Sequence, residues 1–167
     1  MLWLASQGLR VLGVEISPIA VAAFCAENAL DVEPVEIDRF VQRQAGEITL
    51  LQGDFFDLGH AHLEGISAVY DRASLIALPP AMRARYAEHM AALLPSGTPV
   101  LLVTLDYPQQ QMDGPPFAVS AAEVAQLFGT HFQITPLGGQ AILAENPRFQ
   151  ARGLTRLDER VYRLVRY

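Results

Sequence analysis

Cysteine is almost missing from this chain. Cys25 stands alone among 167 residues, so no intramolecular disulfide can form. That points to a reducing compartment, and a cytoplasmic location is expected. Cys25 lies in the apolar run Val21-Ala22-Ala23-Phe24-Cys25 with no histidine close in sequence, which reads as a buried structural thiol rather than a nucleophile. Charge is also sparse: 18% of residues carry it, with a formal net value of −6. The basic residues are arginines spread along the chain, which leaves no basic footprint for nucleic acid. No apolar stretch is long enough to span a bilayer. Met1-Leu2-Trp3-Leu4-Ala5 is too short for a signal-peptide core and lacks a basic start. Repeats, linkers and a second domain are not evident. His60-Ala61-His62 has no further ligands around it, so no metal is expected. Ser74 and His89 match no triad, and no general acid–base residue is expected.

Apolar residues, by contrast, make up 51% of the chain, enough for one packed core in a single domain over 1–167. Leu2, Trp3 and Leu4 followed by Gly8 read as the end of a helix. Arg10 to Glu15 is a short apolar strand ending in an acid, and Ser17-Pro18 is an N-cap with proline at the first helical position. The helix Ile19 to Ala29 carries Ala20, Ala23 and Phe24 at helical spacing. Phe40-Arg43 and Ile48-Leu51 flank Ala45-Gly46-Glu47 as a hairpin. Ile66 to Asp71 is a strand. Met82 to Leu94 is an amphipathic helix with Met82, Tyr86, Met90 and Leu93 on one side. Thr98 to Asp106 reads as a fully buried strand. Tyr107 to Pro116 is a surface loop, and Ser120 with Glu123 is a capping box for a helix through Phe128. A strand over His131–Leu137, a mostly irregular stretch over Gly138–Gly153 and a last strand over Leu154–Val165 complete an α/β pattern.

Three strands end in Glu15, Asp71 and Asp106. In open α/β sheets ligands sit at the carboxyl ends of the strands, where a carboxylate can accept two hydrogen bonds from a ribose diol. Acids also end strands simply as turn residues, so each position has both readings.

A resemblance narrows them. Val11-Leu12-Gly13-Val14-Glu15-Ile16-Ser17, Gly53-Asp54-Phe55-Phe56, Tyr70 through Pro80 and Gly114-Pro115-Pro116-Phe117 follow the order and spacing of the thiopurine S-methyltransferase family, the bacterial members above all. Pro147-Arg148-Phe149 and Leu157 through Tyr162 fit as well, so the resemblance covers the chain. It implies an α/β, Rossmann-like sheet of the class I methyltransferase type, with a reversed last strand. It implies S-adenosyl-L-methionine as co-substrate, no metal, and an S-methyltransferase acting on aromatic or heterocyclic thiols such as thiopurines. Selenium and tellurium detoxification is a side activity that bacterial relatives suggest. The implied partner is a small-molecule thiol, with no nucleic acid or membrane and a monomeric state.

The same resemblance assigns roles. Glu15 matches the acid on the cofactor ribose. Asp54 and Phe55 match the segment beside the adenine, whereas Phe56 has core as its other reading. Asp71 and Arg72 match the motif lining the site after the fourth family strand; the alternative is a pair that ties the strand end to the next helix. Arg148 matches a second arginine near the substrate, on a mobile loop. The Gly114–Phe117 segment matches a loop by the active site that would hold Phe117 over an aromatic substrate, or else a rigid surface turn.

The family's first strand and its cofactor loop are expected ahead of Leu2-Trp3-Leu4, between the strands that end at Glu15 and Asp71. Without them the chain is expected to be marginally stable and to bind the cofactor weakly, because neighbouring strands would carry unpaired backbone groups. A catalytically inactive methyltransferase-like module is the alternative reading. Tight S-adenosylmethionine binding by the 167-residue chain, read by calorimetry, would refute this expectation.

Overall fold

The computed structural model describes residues 1–167, which form two compact units, Met1–Gly59 and His60–Tyr167.

The first unit begins with a short helix, α1 (Leu2–Ser6), which Gly8 terminates. Strand β1 (Val11–Glu15) leads into helix α2 (Pro18–Glu27), whose N-terminus is capped by the Ser17 hydroxyl accepting from Ala20 N at 3.2 Å. Three more strands follow: β2 (Val35–Ile37), β3 (Phe40–Ala45) and β4 (Ile48–Gln52). Their order in the sheet is β1-β4-β3-β2. β1 and β4 run parallel, and β3 and β4 form the expected hairpin, turned at Gly46 with φ +54°. The short β2 was not foreseen, because three exposed residues carry no alternation to read. The core is Val21, Ile48 and Leu50, with Met1, Val11, Phe24 and Cys25 packed against it. Cys25 is therefore a half-buried core thiol. The inward stripe of α2 is Val21, Phe24 and Cys25; Ala20 and Ala23 are exposed, contrary to the expected face.

The second unit is built on β5 (Val69–Arg72), α3 (Pro80–Leu93), β6 (Pro99–Asp106), α4 (Ala121–Phe128), β7 (Phe132–Ala141), α5 (Pro147–Ala151) and β8 (Asp158–Arg166). Its sheet has the order β5-β6-β8-β7. β5 and β6 are parallel, and β8 is antiparallel to both β6 and β7, which is the expected reversed last strand. β7 runs on past Leu137, through an irregularity between Pro136 and Gly138, to Ala141. Proline has no N–H to give the ladder and Gly138 adopts φ +135°, so the strand bends there instead of ending.

Val100, Leu102, Leu164, Phe128 and Phe132 are all but fully buried. Each such side chain contributes roughly 1.5–3 kcal/mol of hydrophobic stabilisation. α3 buries Arg83, Tyr86, Ala87, Met90 and Ala91, whereas Met82 stays exposed. Leu101 also faces out, so β6 is covered less completely than its composition suggested. No helix is long and apolar enough to cross a membrane.

Candidate functional site

In the first unit the residues of interest share one end of a parallel pair. Register places Glu15 opposite Gln52, and Gly53 N donates to the Glu15 carbonyl at 3.0 Å. The next residue, Asp54, therefore sits beside Glu15 at the carboxyl ends of β1 and β4. Glu15 Oε1 accepts from Ser17 N at 2.7 Å, which fixes the carboxylate and leaves its second oxygen to accept. Asp54 accepts from Phe56 N at 2.9 Å through Oδ1 and so starts a 3-10 turn over Phe55–Asp57. The Phe55 and Phe56 rings stand edge to face with centroids 5.7 Å apart. Two half-committed carboxylates and an aromatic edge are groups that could hold a ribose diol and a purine base.

In the second unit Asp71 and Arg72 part company. Asp71 is buried, and its carboxylate accepts from Tyr86 OH at 3.0 Å and from Leu75 N at 3.5 Å. Burial pushes its pKa up from the ordinary value, only partly opposed by those bonds, and the Tyr86 phenol is pushed up by burial and then by the Asp71 charge. Asp71 thus ties the strand end to α3 and to the turn over Leu75–Ala77. Arg72 turns the other way, and Ala73 beyond it adopts φ +74°, a conformation most side chains avoid.

Arg72 and Ala73 line a cavity of about 480 Å³. Ile76, Val103, Leu105, Pro115, Ile142 and Phe149 give it apolar walls, and Arg72, Arg148 and Glu159 bring the charge. Arg72 Nη2 donates to Glu159 Oε2 at 3.2 Å, and that carboxylate raises the guanidinium pKa further. Arg148 lies with its guanidinium 4.8 Å from the Phe149 ring centroid and has no carboxylate partner. It stands on α5, a helix in the stretch expected to be irregular. The signal was present: Asn146-Pro147 places a capping residue before a proline at the first helical position. Glu159 was not foreseen as a site residue. Its partner lies 87 residues away, so no local pattern marks it.

Phe117 does not line this cavity. Its ring covers Gly114, where an added Cβ would come within 2.5 Å of it, and it lies 5.6 Å from the Arg83 guanidinium. Arg83 is buried. It donates to Leu78 O at 3.0 Å and Ala118 O at 3.2 Å and pairs with the Glu123 carboxylate. Glu123 follows the Ser120 cap as expected but spends its side chain on Arg83. This clamp ties α3 and α4 to the segment carrying Pro115 and Pro116. Asp106, the third strand-ending acid, is held in a network with Arg156 at 3.0 Å and Arg160 at 3.7 Å.

Acids at the carboxyl ends of parallel strands and a reversed strand set between two others define a class: this is the class I fold of S-adenosylmethionine-dependent methyltransferases. A methyltransferase of that kind from Anabaena variabilis superposes with a TM-score of 0.64 at 14% identity, over 95% of this chain and 68% of that one. The Burkholderia thailandensis 1,6-didemethyltoxoflavin-N1-methyltransferase, solved with S-adenosylhomocysteine, superposes with a TM-score of 0.56 at 19% identity, over 97% of this chain and 64% of that one.

Sequence takes the assignment further. The family model for thiopurine S-methyltransferase (TPMT) matches residues 1–167. The thiopurine S-methyltransferase of Nitrosospira multiformis is 51% identical over 99% of this chain and 75% of its own length. The chain belongs to the thiopurine S-methyltransferase family.

Proposed function

We propose that the protein moves a methyl group from S-adenosylmethionine to the sulfur of aromatic or heterocyclic thiols, thiopurines among them. The observation that carries this reading is the cavity of the second unit, where apolar walls meet the guanidinium groups of Arg72 and Arg148. A flat aromatic ring is suited to those walls, and an arginine beside its sulfur favours the thiolate, the nucleophilic form.

When bound, S-adenosylmethionine supplies an electrophilic methyl carbon on a sulfonium. Glu15 would hold the ribose hydroxyls, and Asp54 with Phe55 would hold the base. Arg72 and Arg148 orient the acceptor by charge-assisted hydrogen bonds, and the apolar walls keep water from the sulfur. No side chain has to carry a proton, because heterocyclic thiols ionise readily. Asp71 supports the frame from behind by fixing the end of β5.

The test is to incubate the protein with S-adenosylmethionine and 6-mercaptopurine and follow the S-methyl product by mass spectrometry. Arg148→Ala is expected to raise KM for the thiol about tenfold, the loss of one charge-assisted contact. Because Arg148 has no ion pair to lose, the melting temperature should stay within about 2 °C. A folded protein that methylates no heterocyclic thiol would overturn the reading.

A further inference from the structure

Three charged side chains line the cavity, and two of them cancel. Arg72 is paired with Glu159, and Arg148 is left without a counter-charge. The Glu159 side chain is only 20% exposed, and its bond to Arg72 uses Oε2, leaving Oε1 as an acceptor in the apolar cavity. Its position is set by the backbone: Glu159 lies within β8, held in register against Leu105 of β6 and Gln140 of β7. The two neighbouring strands fix where the Glu159 backbone stands in the cavity wall.

We infer that Glu159 is the specificity-determining residue of the acceptor site, selecting thiolated nitrogen heterocycles that present a ring N–H and rejecting aryl thiols that carry a second anionic group. The inference rests on the thiol-acceptor reading of the cavity. One uncompensated arginine matches one negative charge, that of the thiolate. A ring N–H meets the free Glu159 oxygen in a charge-assisted hydrogen bond. A second anion meets the same carboxylate as a like charge across an apolar space, where repulsion is poorly screened. Arg72 offsets only the charge of Glu159, so the thiolate already matches the cavity's one remaining positive charge.

The test is the equilibrium binding of 6-mercaptopurine and 4-mercaptobenzoate, measured by calorimetry on the wild type and on Glu159→Gln. Glutamine keeps an oxygen for Arg72 and removes the charge. The wild type is expected to bind the purine at least about tenfold more tightly, and Glu159→Gln to shrink that preference about tenfold, with mercaptobenzoate binding gaining outright. A general loosening of the cavity would weaken both ligands together and leave the ratio alone. A wild type that binds the two equally, or binds neither, overturns the inference before any variant is made. An unchanged ratio in Glu159→Gln overturns it as well. If the ratio shifts as expected but neither thiol is methylated, selection by Glu159 stands and the methyl-transfer reading falls.

Discussion

Glu123→Gln tests the buried clamp behind the cavity. The Arg83 side chain is 2% exposed and that of Glu123 is 29% exposed, so the cation is far the more deeply committed partner. Removing one member of a fully buried pair costs about 3–5 kcal/mol, because the other charge is left uncompensated. Glu123 reaches solvent, and Arg83 keeps its bonds to Leu78 O and Ala118 O, so the expected cost falls to about 2–3 kcal/mol. In a chain of this size that lowers the melting temperature by roughly 5–10 °C. The decisive comparison is the same substitution made in Arg83→Met. There no cation remains to strand, and Glu123→Gln should cost only about 0.5 kcal/mol, the weakened interaction of a first-turn acid with the helix N-terminus. The coupling energy is then about 2 kcal/mol. Urea denaturation followed by near-ultraviolet circular dichroism of tyrosine reads the right unit, because all five tyrosines lie between residues 70 and 167. An equal cost of Glu123→Gln in both backgrounds would refute the clamp.

Other outcomes follow from the same geometry. Phe128→Ala, in a side chain with no exposed surface that meets Phe132 edge to face, should cost about 3–5 kcal/mol in urea denaturation. Gly114→Ala should cost about 1–2 kcal/mol, because φ +81° and the Phe117 ring both oppose a Cβ there, and a thermal melt reads it. Asp71 gives a pH signature. Its folded pKa lies above the ordinary 3.8, so the protonated form is favoured on folding; the stability it adds is complete below the unfolded value and is lost as pH rises through the folded one. The advantage of the wild type over Asp71→Asn, measured by urea denaturation at a series of pH values from about 4 to 7, should therefore shrink as pH rises, and a growing advantage would contradict the assigned burial.

Much of the frame was legible because local chemistry announces it. Ser17-Pro18 and Ser120 both cap as read, the hairpin turns at Gly46, and Glu15 ends its strand at the carboxyl end of a parallel pair. What escaped depended on distance or on ambiguous faces. The alanines of α2 mark no side as polar, so the inward face went to Ala20 and Ala23 rather than Val21 and Cys25. Nothing beside Arg83 in the sequence marks it for burial; its carboxylate partner Glu123 lies 40 residues on. Asp71 and Arg72 adjoin in the chain yet point to different tasks, as successive strand residues must, one to the core and one to the cavity. Phe117 belongs to the loop the resemblance singled out, but its ring is taken up by Gly114 and Arg83.

The placement of β8 also governs when the second unit can fold. β6 and β7 share no hydrogen bonds with each other; β8 pairs with both and joins them. On the ribosome, then, the apolar flanks of β6 and β7 exist before the strand that joins them has left the exit tunnel. The sheet closes only once β8 has emerged, through contacts long in sequence and slow to form. Loss of β8 would release every strand pairing that β7 makes, leaving an open, sticky edge for chaperones or proteases to find.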